Sequence, residues 1–567
     1  MCGIFAYIGN NTIGNGIIKK NFELGKSRGP ESSEYLHLEN VQLGFHRLAI
    51  NGVGDSVSNQ PFNIYGIYLI CNGEIYNYRD LFQKINVNPQ TNSDCEVIVY
   101  LYLKYGIEYL LDLLDGVFSF VLYDSIKNII YASRDPYGVR PLYYLETDSE
   151  ILFASELKQL IFPGIQSGSI TQFPPGCYMK VKLNSTSELF NGINYYIAGI
   201  CNIRLESIEI DTSIKKYSSF GFCNLHSLTE YSSNNDSFED TDNIYYNIYS
   251  LLFNAVKKRV IGTTERKIAC LLSGGLDSST IAAIVNSFLP RGELETYSIG
   301  LIGSTDILYA RIVAKYLGTK HTEIILTEEE FFDAIPEVIR AIESYDTTTV
   351  RASVGNYLIG KYISKNSDAK VIFNGDGSDE LTGGYKYFNL TKDYMEFDRE
   401  CRNLLNNIYS FDVLRSDKSI SSNGLEPRTP FLDRTFVQYY LSIPPEKRCH
   451  SVNGKCEKFL LRTAIEKYGN KLLPSEVIWR TKEAFSDGVS PIDRSWFEVI
   501  REKVSLIESE LESFVPRESY LIPTTLEMKY YRKIFDQEFP GCSNILKYFW
   551  MPKYSNATDP SARTINN

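Results

Sequence analysis

Short runs of β-branched and aromatic residues, broken by turn formers, dominate the first third of the chain. Tyr68-Leu69-Ile70-Cys71, Val117-Phe118-Ser119-Phe120-Val121-Leu122-Tyr123 and Ile129-Ile130-Tyr131-Ala132 read as strands. Helical stretches interrupt them near Cys95–Tyr105 and Glu156–Ile161, so residues 1–182 predict an α/β-layered domain. The pattern then fails. Residues 183–245 are mostly polar, and Ser227–Asp242 holds only Leu228, Tyr231 and Phe238 as core candidates, which predicts a linker or exposed insertion.

From about residue 246 the period changes. An amphipathic stretch over Ile244–Arg259 precedes the apolar run Ile268-Ala269-Cys270-Leu271-Leu272. Helical patterns near 276–288, 307–317 and up to 365 then alternate with the apolar runs Thr296–Ile299, Thr322–Leu326 and Val371–Phe373. Alternating helices and continuous apolar strands predict a covered parallel sheet. Residues 450–550 read as mainly helical, which completes a second domain over 246–554, and Ser555–Asn567 reads as a polar, mobile tail.

Composition narrows the class. Of 567 residues, 43% are hydrophobic and 22% charged, near the globular average. The net charge of −11 argues against a nucleic-acid partner, which leaves a basic footprint. No run is long and apolar enough to predict a membrane span, and Met1-Cys2-Gly3-Ile4-Phe5 does not start a signal peptide. The expected place of work is the reducing cytosol, where the 11 scattered cysteines, Cys2 aside, serve as small core residues.

Two places carry chemistry. Leu272-Ser273-Gly274-Gly275-Leu276-Asp277-Ser278-Ser279 follows a buried strand and opens a helix. Glycines let backbone amides approach a ligand, hydroxyls add donors, and the helix N-terminus favours an anion, so this loop suits phosphate or pyrophosphate. No Lys follows the glycines, which excludes the P-loop pattern of γ-phosphate transfer. A second strand ends in Asn374-Gly375-Asp376-Gly377-Ser378-Asp379-Glu380. Strand ends of a parallel sheet face one crevice, and carboxylates beside phosphates suit Mg²⁺. Cys2 is the other place. Loss of Met1 would expose an α-amine of pKa about 8, able to act as base for its own thiol in the manner of N-terminal nucleophiles.

The Ser-Gly-Gly-x-Asp-Ser loop resembles that of the ATP-pyrophosphatases. Ser344–Ser353, Gly383-Gly384-Tyr385, Pro427–Asp433 and Arg480–Gly488 resemble the synthetase domain of asparagine synthetases. The resemblance implies that Leu272, Ser273, Gly274, Gly275, Asp277, Ser278, Ser298, Gly375 and Asp376 bind ATP, and that Asp277 and Asp379 hold Mg²⁺. It further implies that Lys482 meets the α-phosphate and that Thr348 and Arg351 bind aspartate. Asp376 stands where that family usually has a glutamate that works as acid or base.

In the first domain Cys2, Arg28-Gly29-Pro30, His46–Ile50, Asn72–Asn77 and Ser93–Glu96 occur in an order that resembles the glutaminase domain of class II amidotransferases, with its αββα N-terminal-nucleophile fold. That implies Cys2 as nucleophile and Asn72 with Gly73 as oxyanion donors. It also implies that glutamine is held by Asn72, by Arg47 on its α-carboxylate, and by Glu74 and Asp94 on its α-ammonium. The implied reaction forms β-aspartyl-AMP and amidates it with ammonia from glutamine; a homodimer is a candidate assembly that the sequence itself does not fix. Two alternatives share these motifs: amidation of another carboxylate, and a glutaminase with a decayed second domain.

Overall fold

The computed structural model describes residues 2–9, 13–147, 150–164, 170–183, 189–195, 241–263 and 265–565. Two compact units divide the chain, Met1–Thr229 and Glu230–Asn567. The first holds two six-stranded sheets. One comprises β1 (Gly3–Gly9), β2 (Ser32–His37), β3 (Val41–Arg47), β8 (Tyr143–Glu146), β9 (Glu150–Ala154) and β10 (Ile170–Gln172), in the order β10-β8-β9-β1-β3-β2. The other comprises β4 (Phe62–Ile64), β5 (Ile67–Ile75), β6 (Gly116–Asp124), β7 (Ile129–Arg134), β11 (Cys177–Leu183) and β12 (Leu189–Tyr195), in the order β12-β11-β7-β6-β5-β4. Among the described residues, all ten strand pairings of these two sheets are antiparallel.

Strand alternation explains the layering. Ile4, Ala6 and Ile8 of β1 share one core with Ile70 and Val121 of the other sheet, so the sheets pack face to face. The opposite residues of β1 face outward: Phe5 meets Phe22 of helix α1 (Asn15–Glu23). Leu69, Cys71, Phe118, Phe120 and Leu122 pack instead against helices α2 (Tyr78–Ile85) and α3 (Val97–Leu113). The unit is therefore an αββα sandwich. Helices α1 and α2 are short and escape the sequence reading, while the helical pattern at 156–161 is only a 3₁₀ turn over Leu157–Leu160.

The polar stretch 183–245 is not wholly connective. β12 lies inside it and pairs with β11 from Cys177↔Tyr195 to Leu183↔Leu189, and helix α4 (Thr241–Ile261) begins before its end. Most of Ser227–Asp242 lies outside the described residues.

The second unit is built on a five-stranded parallel sheet: β13 (Lys267–Leu271), β14 (Glu295–Leu301), β15 (Lys320–Leu326), β16 (Ala369–Phe373) and β17 (Glu426–Arg428), in the order β15-β14-β13-β16-β17. Helices α5 (Leu276–Asn286) and α6 (Thr305–Leu317) follow β13 and β14. The chain leaves β13 toward β14 on one side and later fills the other side with β16, which makes the β13/β16 boundary the switch point where such sheets bind ligands. In the polar tail, the described residues include a 3₁₀ turn over Ala562–Thr564.

Candidate active sites

In the first unit, Cys2 precedes β1 and is half-buried. Its carbonyl accepts from Arg28 Nε at 3.1 Å, and its thiol points to the Leu48 carbonyl at 3.8 Å. Arg28 is buried and paired with Glu156 at 2.7 Å, so the Arg28-Gly29-Pro30 turn anchors the start of β1. Gly29 is required there because a Cβ would lie 2.3 Å from the His46 carbonyl.

Asn72 lies two residues beyond Ile70 on β5, as Cys2 lies two residues before Ile4 on β1. Period-two alternation turns both toward the layer between the sheets. The Asn72 amide is fully buried, and neither Nδ2 nor Oδ1 has a hydrogen-bond partner among the described residues. Such a group costs about 1–3 kcal/mol, so it needs a functional account. Beside it, a Cβ on Gly73 would lie 2.5 Å from the Val117 carbonyl of β6. Glu74 and Asp94 are buried, and Asp94 accepts from the Ile75 amide at 2.6 Å. Arg47 is engaged by its own loop. Its terminal nitrogens donate to the carbonyls of Asn51, Gly52 and Asp55 and to Asn59 Oδ1, at 2.7–3.1 Å, so it clasps the loop after β3.

In the second unit, one cavity opens at the β13/β16 switch point. It is lined by both sequence-derived loops and by Ser298, Thr348 and Lys482. Gly274 has φ +70°, and a Cβ there would lie 2.3 Å from the Ala310 amide; conformation and space both demand glycine. The Ser273 and Ser278 hydroxyls sit 3.0 Å apart across the loop. Gly375 seats the second loop directly on the first, since a Cβ would lie 2.7 Å from the Ser278 amide. Ser298 Oγ contacts His321 Nε2 at 3.1 Å, and the Thr348 hydroxyl is buried without a partner among the described residues.

Asp277 and Asp379 are brought together by two lysines. Lys458 Nζ lies 2.5 Å from Asp277 and 2.6 Å from Asp379, and Lys482 Nζ lies 2.6 Å from Asp379 and 4.0 Å from Asp277. Burial alone would push the Asp379 carboxyl up and the Lys482 ammonium down. The opposite charges win: Asp379 is held well below the carboxylate range and Lys482 above the usual lysine value. Ser378 Oγ donates to Asp277 at 2.8 Å. Among the described residues no cluster of three or more His, Cys, Asp or Glu could hold a metal. Two converging carboxylates nevertheless fit Mg²⁺ that is shared with phosphate oxygens.

Asp376 accepts from Asn374 Nδ2 at 2.8 Å and lies 3.9 Å from Arg415. Arg415 pairs with Asp412, which also accepts from the Tyr385 hydroxyl at 2.9 Å. Burial pushes Asp412 up to about 6; Arg415 opposes the shift, and the carboxylates of Asp376 and Asp379 add to it. Lys458, Arg415 and Asp412 line the cavity and escape the sequence reading. So does the use of Arg480, which donates to the Ser273 carbonyl at 3.2 Å and to Asp306 at 2.8 Å.

Arg351 lies apart from the Thr348 face of its helix. It does not line the cavity but makes two-pronged pairs with Glu527 (2.6 and 2.7 Å) and Asp559 (2.8 Å). Helical phase explains this. At roughly 100° per residue, Thr348, Thr349, Ala352, Asn356 and Ile359 fall within one arc of about 100°, and Arg351 points about 60° outside it. Arg351→Ala leaves two carboxylates uncompensated and is expected to destabilise this unit by ~3 kcal/mol or more, read as a lower urea midpoint.

The Asparagine synthase family model matches residues 247–394 and 389–521, and the Glutamine amidotransferase domain model matches residues 1–217. Three relatives each carry the printed name asparagine synthetase [glutamine-hydrolyzing]. The protein of Gallus gallus is 38% identical over 583 residues, that of Homo sapiens 39% over 583 and that of Cricetulus griseus 40% over 585. Each alignment covers 100% of this chain and 99% of the relative.

Proposed function

The chain belongs to the family of glutamine-hydrolysing asparagine synthetases, and from that premise we propose how its own residues divide the reaction. It is an ATP-dependent ligase that converts aspartate, glutamine and ATP to asparagine, glutamate, AMP and pyrophosphate.

In the first unit, Cys2 is the nucleophile once Met1 is removed. Its α-amine takes the thiol proton as sulfur attacks the glutamine carboxamide. The Asn72 amide and the Gly73 N–H meet the oxyanion, ammonia leaves, and water releases glutamate from the thioester. The unpartnered Asn72 side chain supports this role. Glu74 and Asp94 supply negative charge for the glutamine ammonium. The α-carboxylate needs a cation, and Arg47 serves only if it exchanges carbonyl partners. Asn72→Ala is expected to lower glutaminase kcat by about 10²–10³-fold and to leave ammonia-dependent asparagine formation unchanged; equal loss of both would remove Asn72 from this role.

In the second unit, the Ser273–Ser278 loop and Gly375 cradle the phosphates of ATP, and Ser298 contacts the nucleoside. Thr348 presents its hydroxyl to aspartate. A β-carboxylate oxygen of aspartate attacks the α-phosphorus, and pyrophosphate leaves. Ammonia then attacks the acyl carbon, Asp376 takes the surplus proton, and AMP departs. Lys482 places positive charge where the α-phosphate gains negative charge. Asp277 and Asp379 are the carboxylates that would hold Mg²⁺, whose charge would offset that of the phosphates.

The observation that carries the reading is the meeting of Asp277, Asp379, Lys458 and Lys482 at the switch point, directly against the Ser-Gly-Gly loop. Incubation with ATP, Mg²⁺, aspartate and amide-¹⁵N-glutamine should yield labelled asparagine and equimolar AMP. No asparagine even with added ammonium would overturn it, and a panel of other carboxylic acids would then identify the acceptor. Among the described residues no helix is long and apolar enough to cross a membrane. We place the enzyme in the cytosol as a homodimer, which sedimentation of the purified chain tests.

A further inference from the structure

Lys482 sits on a segment without regular structure, Arg480–Ala484, followed by a single helical turn over Phe485–Gly488. Such a segment cannot hold a cation in place by itself. On one side, Arg480 ties it to the Ser273 carbonyl and Asp306. On the other side, the ties come from the end of the chain. Arg563 donates to Glu483 Oε1 at 2.7 Å, to the Asp487 carbonyl at 2.8 Å and to the Pro491 carbonyl at 2.7 Å. The buried Ser561 hydroxyl donates to Asp487 Oδ1 at 2.7 Å. Glu483, next to Lys482, also accepts from Thr305 Oγ1 at 2.7 Å. The tail is itself anchored, because Asp559 pairs with Arg351 and accepts from the Ser561 amide at 2.8 Å.

We propose that Asp559–Arg563 is a latch whose Ser561 and Arg563 are positioning residues for Lys482. They fix the loop Arg480–Pro491 so that the Lys482 ammonium reaches Asp379 and the phosphate site. The guanidinium spans three acceptors on both sides of the helical turn, which one lysine ammonium at the same place could not do. Neither residue lines the cavity, so their effect passes through the loop. A displacement of the order of 1 Å at a reacting centre can cost about 10²-fold in rate. The activity part of the test rests on the reaction assigned above; the exchange part does not.

Two measurements on the full chain test the latch. Hydrogen exchange of the backbone amides over 482–490 is compared in wild type, Arg563→Ala and Ser561→Ala. Both variants are expected to exchange faster there, with the strand β13 amides unchanged. Ammonia-dependent AMP and asparagine release is then measured for Arg563→Ala, Lys482→Ala and the double variant. Arg563→Ala should lower kcat by about 10²-fold with less than about 3-fold change in KM for ATP, and Arg563→Lys should recover only part. Residues that act through one another are not additive, so the double variant should fall within about 3-fold of Lys482→Ala. Unchanged exchange in both single variants, or rate reductions that multiply in the double variant, would overturn the proposal. A wild type that forms no asparagine would count against the assigned reaction, while the exchange data still decide the latch.

Discussion

Cys2→Ala abolishes glutamine-dependent asparagine formation and spares the ammonia-dependent reaction. The loss is expected to be roughly 10⁴-fold or more in glutaminase kcat, the scale of removing a covalent nucleophile. No other described residue of the unit can replace it, because the proposed chemistry uses a thiol and an α-amine on one residue. Cys71 and Cys95 are buried in the other core, under helices α2 and α3, and the hydrogen bond with Cys71, together with burial, raises the Cys95 thiol well above its ordinary value. Cysteines buried in apolar surroundings are inert. The replacement is also structurally mild: the thiol approaches the Leu48 carbonyl only at 3.8 Å, while the backbone bond from Arg28 persists in alanine. The check is a pair of assays on one preparation. Glutamate release from glutamine should vanish, and asparagine formed from ammonium should match wild type. Retained glutaminase activity would remove Cys2 from the mechanism, and loss of both activities would show that Cys2 supports the fold.

The sites were legible in the sequence to the extent that they are local. Ser273–Ser278 lies on a continuous strand–loop–helix segment, and Gly274 within it holds the positive φ that such a turn requires. Asn72 and Gly73 follow from one strand, whose period-two alternation puts Ile70 and Asn72 on one face and Leu69 and Cys71 on the other. What could not be read is what the fold assembles from distant segments. Lys458 meets Asp277 across 181 residues of chain, and nothing in Cys456-Glu457-Lys458 marks it. Arg415 and Asp412 enter the cavity from a helix (Asp412–Ser421) whose own sequence carries no phosphate or carboxylate signature.

Two segments show how tertiary context redirects polar residues. Arg351 carries the right charge beside the right threonines, but three residues of helix turn it away from the cavity onto Glu527 and Asp559. The polar character of Ser555–Asn567 suggested mobility, yet polarity there supplies the hydrogen bonds that dock it: Ser561 on Asp487, Arg563 on Glu483. The edge strand β17 was hidden by Pro427, a residue that edge strands tolerate and central strands do not.

Lys482→Ala is expected to lower kcat for asparagine formation by about 10³-fold with either nitrogen source, and to leave glutaminase activity intact. The argument starts from charge balance. Asp277 and Asp379 face two ammonium groups in a half-buried site, so the four charges cancel. When ATP enters, the phosphates compete for those ammoniums, and charge that develops on the α-phosphate is met by a cation already in place. Preorganised donors of this kind are worth roughly 10²–10³ each in kcat, and a full charge in a water-poor cavity lies at the upper end. Binding should suffer less, because Lys458, the Ser-Gly-Gly amides and the loop at Gly375 remain; KM for ATP is expected to change by less than about tenfold, which separates transition-state from ground-state loss. Lys482→Arg should not fully rescue the rate, since the larger planar guanidinium cannot turn one compact charge at once toward Asp379, Asp277 and the phosphate site as an ammonium does. Steady-state AMP release with saturating ammonium measures all three quantities. A Lys482→Ala enzyme with wild-type kcat would show that Lys482 only neutralises Asp379, and the charge at the α-phosphate would then have to come from Lys458.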